Sequence, residues 1–313
     1  MMAASKNSKL CVGTRGSPLA LAQAAAVCRQ LSAICGLDDD DIAIKVIKTT
    51  GDRIQDRPLS ELGGKGLFTK EIEVSLAAGE IDVAVHSAKD MPTVLPHELT
   101  IAAYLERGDA RDALIARDGG TVRKLPRGAR LGTASMRREA QVRRMRPDIA
   151  VRPLRGNVHS RLRKIDDGEL DATILGMAGL IRLGLTATVT QVLSIDEFLP
   201  AVGQGAIAIE ARADDERTRE LLAAINHPAT AVAVTAERAF LAVLDGSCRT
   251  PIAGHAVVSE TGIAFRGMIL QPHGLAAYEV RRTGSAIDAA RLGADAAAEL
   301  KSRAGAGLLA KAV

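Results

Sequence analysis

Three stretches of this 313-residue chain place arginine where a helix is about to begin. They are Gly13-Thr14-Arg15-Gly16-Ser17, Gly132-Thr133-Ala134-Ser135-Met136-Arg137-Arg138, and Arg155-Gly156-Asn157. A helix N-terminus carries partial positive charge, so a cation there costs about 0.3–1 kcal/mol. The cost is offset if an anion binds, because free N–H groups, hydroxyls and guanidinium forks suit carboxylates and phosphates. A fourth stretch, Asp82-Val83-Ala84-Val85-His86-Ser87-Ala88-Lys89-Asp90, ends an apolar run in a polar loop. In α/β proteins, sites gather at the carboxyl ends of strands. Asp90 could there stabilise a cation or move a proton, or it could simply pair with Lys89 on the surface. A fifth, Asp245-Gly246-Ser247-Cys248-Arg249-Thr250-Pro251, offers a thiol in a Gly/Pro loop. The adjacent guanidinium favours the reactive thiolate.

The elements that must position these groups follow from the hydrophobic pattern. Strands are expected at Leu10–Gly13, Ala43–Lys48, Ile81–Val85, Arg130–Thr133, Ala150–Pro153 and Ala172–Leu175, with helices following. Ser17-Pro18 opens a helix that Gly36 closes, and Thr69–Ala78 forms another. This alternation predicts an α/β fold with mostly parallel sheets, broken by a basic linker near Thr121–Gly128. The last part differs. Helices over Asp214–Ile225 and Ala229–Leu244 precede strand-like runs at Ile252–Val258, Ile263–Ile269 and Ala276–Arg282. A capping box at Ser285–Asp288 then opens a final helix.

Composition narrows the function classes. The net charge is +4, yet Arg123–Arg163 holds twelve Arg against only Glu139 and Asp148, which points to a polyanionic partner. A nucleic acid is disfavoured because there is no Trp, with two Tyr and four Phe to serve as stacking platforms. The four Cys make no C-x-x-C and no zinc-ligand spacing. The first ten residues lack an apolar signal core, and no run spans a membrane, which predicts a cytoplasmic protein. Gly203-Gln204-Gly205-Ala206-Ile207-Ala208 fits G-x-G-x-x-A but precedes a strand, so it is not read as a dinucleotide site. Gly63–Gly66 lacks the spacing of a P-loop.

Taken together, the motifs resemble those of the hydroxymethylbilane synthase (porphobilinogen deaminase) family. The resemblance runs from about Val12 to the C-terminus. It rests on Thr14–Ala20, Gly63–Phe68, Val85–Asp90, Gly132–Arg138, Leu154–Val158, Leu199–Gly205 and Gly246–Pro251, in the family's order. It implies a transferase that joins four porphobilinogen molecules head to tail, releasing ammonia from each, and then frees hydroxymethylbilane with water. The implied cofactor is a dipyrromethane held as a thioether on Cys248, a permanent primer rather than a nucleophile used at each turnover. The implied catalytic residue is Asp90. Arg15, Ser17, Lys65, Ser87, Lys89, Thr133, Ser135, Arg137, Arg138, Arg155, Arg161 and Arg182 would bind the acetate and propionate groups.

The resemblance further implies two α/β domains like those of type II periplasmic binding proteins, plus a C-terminal α+β domain with a small antiparallel sheet. The expected limits are 1–106 with 201–223, 107–200, and 224–313. The segment Thr49–Gly66 would correspond to a mobile piece over the active site. The enzyme is expected to be a monomer with no nucleic-acid or membrane partner. A small-anion binding protein shares this architecture but needs neither Asp90 nor a reactive Cys248.

Overall fold

The computed structural model describes residues 9–53, 66–244, 251–272, 274 and 276–305. Lys65, Cys248 and most of Thr49–Gly66 therefore lie outside the described residues.

The first sheet begins with β1 (Leu10–Thr14), followed by α1 (Pro18–Cys35), β2 (Ile42–Val46), a short α2 (Thr50–Arg53), α3 (Lys70–Ala77), β3 (Val83–Ser87) and β4 (Leu99–Tyr104). The start of α1 follows from its sequence: the Ser17 hydroxyl accepts from the Ala20 N–H at 3.3 Å, and Pro18 occupies the first turn. Gly36 ends it at φ 67°, donating to the Ser32 carbonyl. α1 is long and apolar enough to cross a membrane by those two measures. It instead lays Ala20, Ala24, Val27 and Leu31 against the sheet, where Val27 and Leu31 meet Val12, Val83 and Val85. Burying each such Val or Leu is worth roughly 1.5–3 kcal/mol.

The second sheet comes from β5 (Asp112–Ala116), β6 (Arg130–Gly132), α4 (Met136–Met145), β7 (Ala150–Arg152), α5 (Val158–Asp166), β8 (Ala172–Gly176), α6 (Met177–Arg182) and β9 (Gln191–Val192). The chain then returns to the first sheet as β10 (Ile207–Arg212) and α7 (Glu216–Ala224). The strand orders are β2-β1-β3-β10-β4 and β7-β6-β8-β5-β9. The two orders are one plan, with β10 and β5 in equivalent places. Each of these strands arrives from the opposite lobe and runs antiparallel to both its neighbours. The expected sheets were mostly parallel; the exchange of crossing strands makes them mixed. This is the type II two-lobe arrangement that the resemblance implied. The supposed linker at Thr121–Gly128 is instead part of the second lobe, because Val122 and Leu125 enter its core.

The third unit holds α8 (Pro228–Val243), β11 (Ile252–Ser259), β12 (Gly262–Leu270), β13 (Ala277–Gly284) and α9 (Ala289–Ala304). Its antiparallel sheet, β11-β12-β13, is covered by the two helices around the Phe240–Phe265 pair, whose ring centroids are 5.0 Å apart. α7 was grouped by pattern with these elements, yet Leu222 and Ile225 belong to the first lobe's core. Ser285 does not cap α9 either: it precedes a 3-10 turn, Ala286–Asp288, and makes no side-chain capping bond.

Candidate functional site

The strand ends and helix starts of the two lobes face one cavity of about 560 Å³. Arg15, Ser17, Ser87, Lys89, Asp90, Arg138, Arg155, Arg161 and Arg182 all line it. Its first-lobe wall comes from the β1–α1 junction and the 3-10 turn Ala88–Asp90 that follows β3. Its second-lobe wall comes from the starts of α4 and α5 and the end of α6. The junctions singled out by sequence thus converge.

The cations in this wall are of two kinds. Arg138 is buried and donates to Asp112 Oδ1 from Nε at 3.1 Å and from a terminal nitrogen at 2.8 Å. Arg161 has no carboxylate partner among the described residues; its Nε donates to the Gly156 carbonyl at 2.8 Å. Protein surrounds it except where it meets the cavity. That burial, with Arg138 nearby, pulls its guanidinium down to about 10, partly offset by Asp90. Arg182 likewise donates only to a carbonyl, that of Gly205 at 2.8 Å, and burial lowers its pKa. Lys89 also lines the cavity, with its side chain open to solvent there. Desolvation by the surrounding walls lowers its pKa as well, with Asp90 opposing the shift and Arg138 adding to it. Asp90 itself makes no hydrogen bond or ion pair with the described residues, so its carboxylate is left for whatever enters.

Arg15 is held in a different way. Its Nε lies 3.2 Å from both Asp52 oxygens, and its guanidinium carbon sits 4.2 Å from the centre of the Phe68 ring. Ser17 spends its hydroxyl on the α1 cap, and Ser87 exchanges hydrogen bonds with Gln23 at 2.9 and 3.2 Å.

Three of the expected binding residues do not line the cavity. Arg137 is buried, donating to Asp112 Oδ2 and to the Leu199 carbonyl, each at 2.8 Å, and to Gln204 at 3.3 Å. Neighbours on a helix point about 100° apart, which is why Arg138 reaches the cavity and Arg137 does not. The Thr133 hydroxyl accepts from the Ser135 N–H at 3.1 Å, and the Ser135 hydroxyl caps α4. Both shape the turn that presents Arg138. Lys65 and Cys248 lie outside the described residues.

Sequence reasoning missed the groups that fasten the crossing segments. Asp112 is wholly buried; burial alone would raise its pKa, but Arg137 and Arg138 outweigh it and hold the carboxyl at about 2. Gln204 donates to Asp112 at 3.0 Å and to the Ala110 carbonyl at 2.7 Å. On the third unit's side, the fully buried Glu237 accepts from Arg107, from the Gly203 N–H at 2.6 Å and from the Ala256 N–H at 2.7 Å. The Gly203-Gln204-Gly205 run, set aside as a dinucleotide motif, has its own physical reason. Gly203 has φ 72°, and a Cβ on it would sit 3.0 Å from the Lys89 nitrogen. Gly205 has φ 90°, and a Cβ there would sit 2.5 Å from the Gly108 carbonyl oxygen. Only glycine lets the return crossing pass this close to both the outgoing crossing and the Asp90 turn.

Comparison with known proteins agrees with this geometry. The family model described as "Porphobilinogen deaminase, dipyromethane cofactor binding domain" matches residues 10–220, and "Porphobilinogen deaminase, C-terminal domain" matches residues 231–302. The porphobilinogen deaminase of Nitrobacter winogradskyi is 58% identical over 294 residues, covering 94% of this chain and 93% of its own. That of Nitrobacter hamburgensis is 56% identical with the same coverage. Among solved structures, a putative methionine-binding lipoprotein from Bacillus subtilis aligns with a TM-score of 0.43 at 14% identity, covering 71% of this chain and 92% of its own. The two family models and the two close relatives together place the chain in the porphobilinogen deaminase family.

Proposed function

We propose that the chain is a hydroxymethylbilane synthase whose cationic cleft binds porphobilinogen units and whose Asp90 serves their condensation. The observation that carries this reading is the set of cations left without carboxylates. Arg161 and Arg182 have pKa values lowered by burial, the exposed Lys89 stands beside them on the cavity wall, and none of the three is neutralised by an ion pair with the described residues. A chain would not keep such groups beside one cavity unless an anion completed them. Every porphobilinogen unit carries an acetate and a propionate, so both the dipyrromethane cofactor and the growing product fit this wall.

Arg161, Arg182, Arg155 and Arg138 would hold carboxylates by charge-assisted hydrogen bonds. Thr133, Ser135 and Arg137 would act one step back, by fixing the turn and helix that present Arg138. Arg15 would exchange Asp52 for a ligand carboxylate. Asp90 would lie against the pyrrole N–H groups and stabilise positive charge as ammonia departs. Cys248 would carry the cofactor. When bound, that cofactor supplies the pyrrole α-carbon that attacks the first incoming unit. Domain limits of 1–106 with 201–223, 107–200, and 224–313 are supported by sheet membership and by α7 packing on the first lobe. The thiols of Cys11 and Cys35, which form no disulfide, favour a reducing compartment such as the cytoplasm.

The test is intact-protein mass together with turnover. The protein should exceed its sequence mass by two linked pyrrole units, and Cys248→Ser should remove the excess. A protein that consumes porphobilinogen with an unmodified Cys248 overturns the primer assignment. A wild-type protein that does not consume porphobilinogen overturns the reading as a whole.

A further inference from the structure

Behind the Asp90 turn lies a buried polar cluster that the binding of carboxylates does not use. His86 on β3 and Glu210 on β10 share one face of the first sheet: Ala208 pairs with His86 and Glu210 with Ala84, so alternation turns both side chains the same way. Their closest approach is 3.3 Å, from Nε2 to a carboxylate oxygen. Glu73 descends onto this face from α3. His86 is 5% exposed, Glu73 8% and Glu210 0%. The surroundings are apolar: Ile72, Leu76, Ile81, Ala84 and Leu99 pack in the same layer. Neither Glu210 oxygen has a well-formed hydrogen bond, nor does His86 Nε2. Burial raises the Glu73 pKa and Glu210 raises it further. The Thr69 hydroxyl beside it offsets only part of this and is not placed for a full hydrogen bond.

An ionised carboxylate is costly in such a layer unless a cation or a shared proton answers it. Two carboxyl groups and one imidazole can meet that demand by holding protons in common. The cluster is also not sealed, since His86 and Thr69 both line the cavity. The charged groups that the first lobe brings to the cavity besides His86 are Arg15, Lys48, Asp52, Lys89 and Asp90. Toward β3, β1 and α1 present apolar side chains and the uncharged Thr14 and Gln23.

We propose that His86, backed by Glu210 and Glu73, is the proton-holding site for each condensation. The inference rests on the synthase reading. Each new bond breaks a C–H bond at the α-carbon of the terminal pyrrole. The electron pair returns to the ring, and the proton passes to the imidazole. Glu210 stabilises the resulting imidazolium, as a carboxylate does for histidine in acid–base dyads. The site resets when that proton leaves with the released ammonia as ammonium, so each cycle balances. Charge stabilisation and proton uptake thereby fall to different groups, Asp90 and His86.

The experiment joins kinetics to a titration that needs no turnover. In His86→Gln, kcat should fall about a hundredfold with little change in KM, and the acidic limb of the kcat profile should disappear. In Glu210→Gln that limb should move to lower pH, because the imidazolium loses its anionic neighbour. In the wild-type holoenzyme without substrate, the NMR signals of the His86 ring should distinguish a protonated from a neutral imidazole as pH is varied. A folded His86→Gln variant with kcat within about threefold of wild type and an unchanged profile overturns the proposal. So does a His86 ring that shows no protonation step, and that measurement stands even where a variant fails to fold. Either failure leaves porphobilinogen consumption by the wild type intact, which separates it from a failure of the synthase reading.

Discussion

Two aspartates in this chain sit in cationic surroundings and are put to opposite uses. Asp112 opens β5 at the crossing between lobes. Two guanidiniums and the Gln204 amide satisfy it, and no water reaches it. Asp90 ends a turn on the cavity floor, where Lys89 and Arg161 feel its charge but no described group bonds to it. The arginines divide the same way. Arg137 and Arg107 are matched by carboxylates of the chain itself, while Arg161 and Arg182, among the described residues, donate only to carbonyls. A group that the fold has satisfied away from the cavity, such as Asp112 or Arg137, holds the fold together; one left unsatisfied on the cavity wall is available to a ligand, and Arg138 and Arg15, paired yet lining the cavity, stand between the two. Charge alone does not separate the two cases; the partner does.

That contrast can be broken at several points. The largest effect is expected at the unsatisfied carboxylate. Asp90→Ala should cut porphobilinogen consumption by about a thousandfold or more, the upper range for a group acting on developing charge and protons. Its thermal midpoint should stay near wild type. Near-normal turnover would remove Asp90 from the mechanism. Next comes the satisfied one. Asp112→Asn leaves two buried guanidiniums short of an anion and should cost roughly 3–5 kcal/mol of stability by denaturant unfolding. An unfolding midpoint like that of wild type would show that the crossing does not depend on this pair.

Smaller effects sharpen the contrast. Arg161→Leu should raise KM for porphobilinogen by about 10–100-fold, the worth of one charge-assisted hydrogen bond, while stability holds or rises because an unpaired buried charge is gone. A destabilised variant with normal KM would move Arg161 to the structural group. The acid limb of stability is the mildest test. The Asp112 carboxyl is lowered to about 2 in the folded chain. Its stabilising contribution is therefore present above the unfolded value near pH 4 and is lost as pH falls toward about 2. Asp112→Asn should flatten that part of the curve; an unchanged acid limb would assign it to other carboxylates, such as Asp171.

Much of this was legible in the sequence, for identifiable reasons. Ser17-Pro18 and Gly36 bound α1 because capping is local chemistry, and the regular strands followed from apolar runs. Arg138 and Arg155 could be read as anion-binding because the cost of a cation near a helix start is also local, whereas Arg161 came with the resemblance alone. What the sequence hid is non-local. Asp112 lies 25 residues before Arg137 and on the far side of the second sheet's strand exchange, so nothing adjacent announces the pair. Glu237 meets Arg107 across 130 positions. Arg137 reads like its neighbour Arg138, and only the turn of the helix separates their fates. His86 stood inside a recognised motif, but Glu210 and Glu73, which give it a context, come from other elements.

The strand exchange also sets a schedule for the newborn chain. β10 lies between β3 and β4, so the first sheet lacks an interior strand until Ile207–Arg212 has been made. That strand follows Tyr104, the end of β4, by about 100 residues. At cellular synthesis rates the gap lasts roughly 5–20 s. Throughout that interval β3, with His86 and the Asp90 turn at its end, presents an unpaired edge to solvent. The second sheet faces no such delay, since all its strands are finished by Val192. The lobe made first is therefore completed last, and during synthesis it is the half most in need of a chaperone.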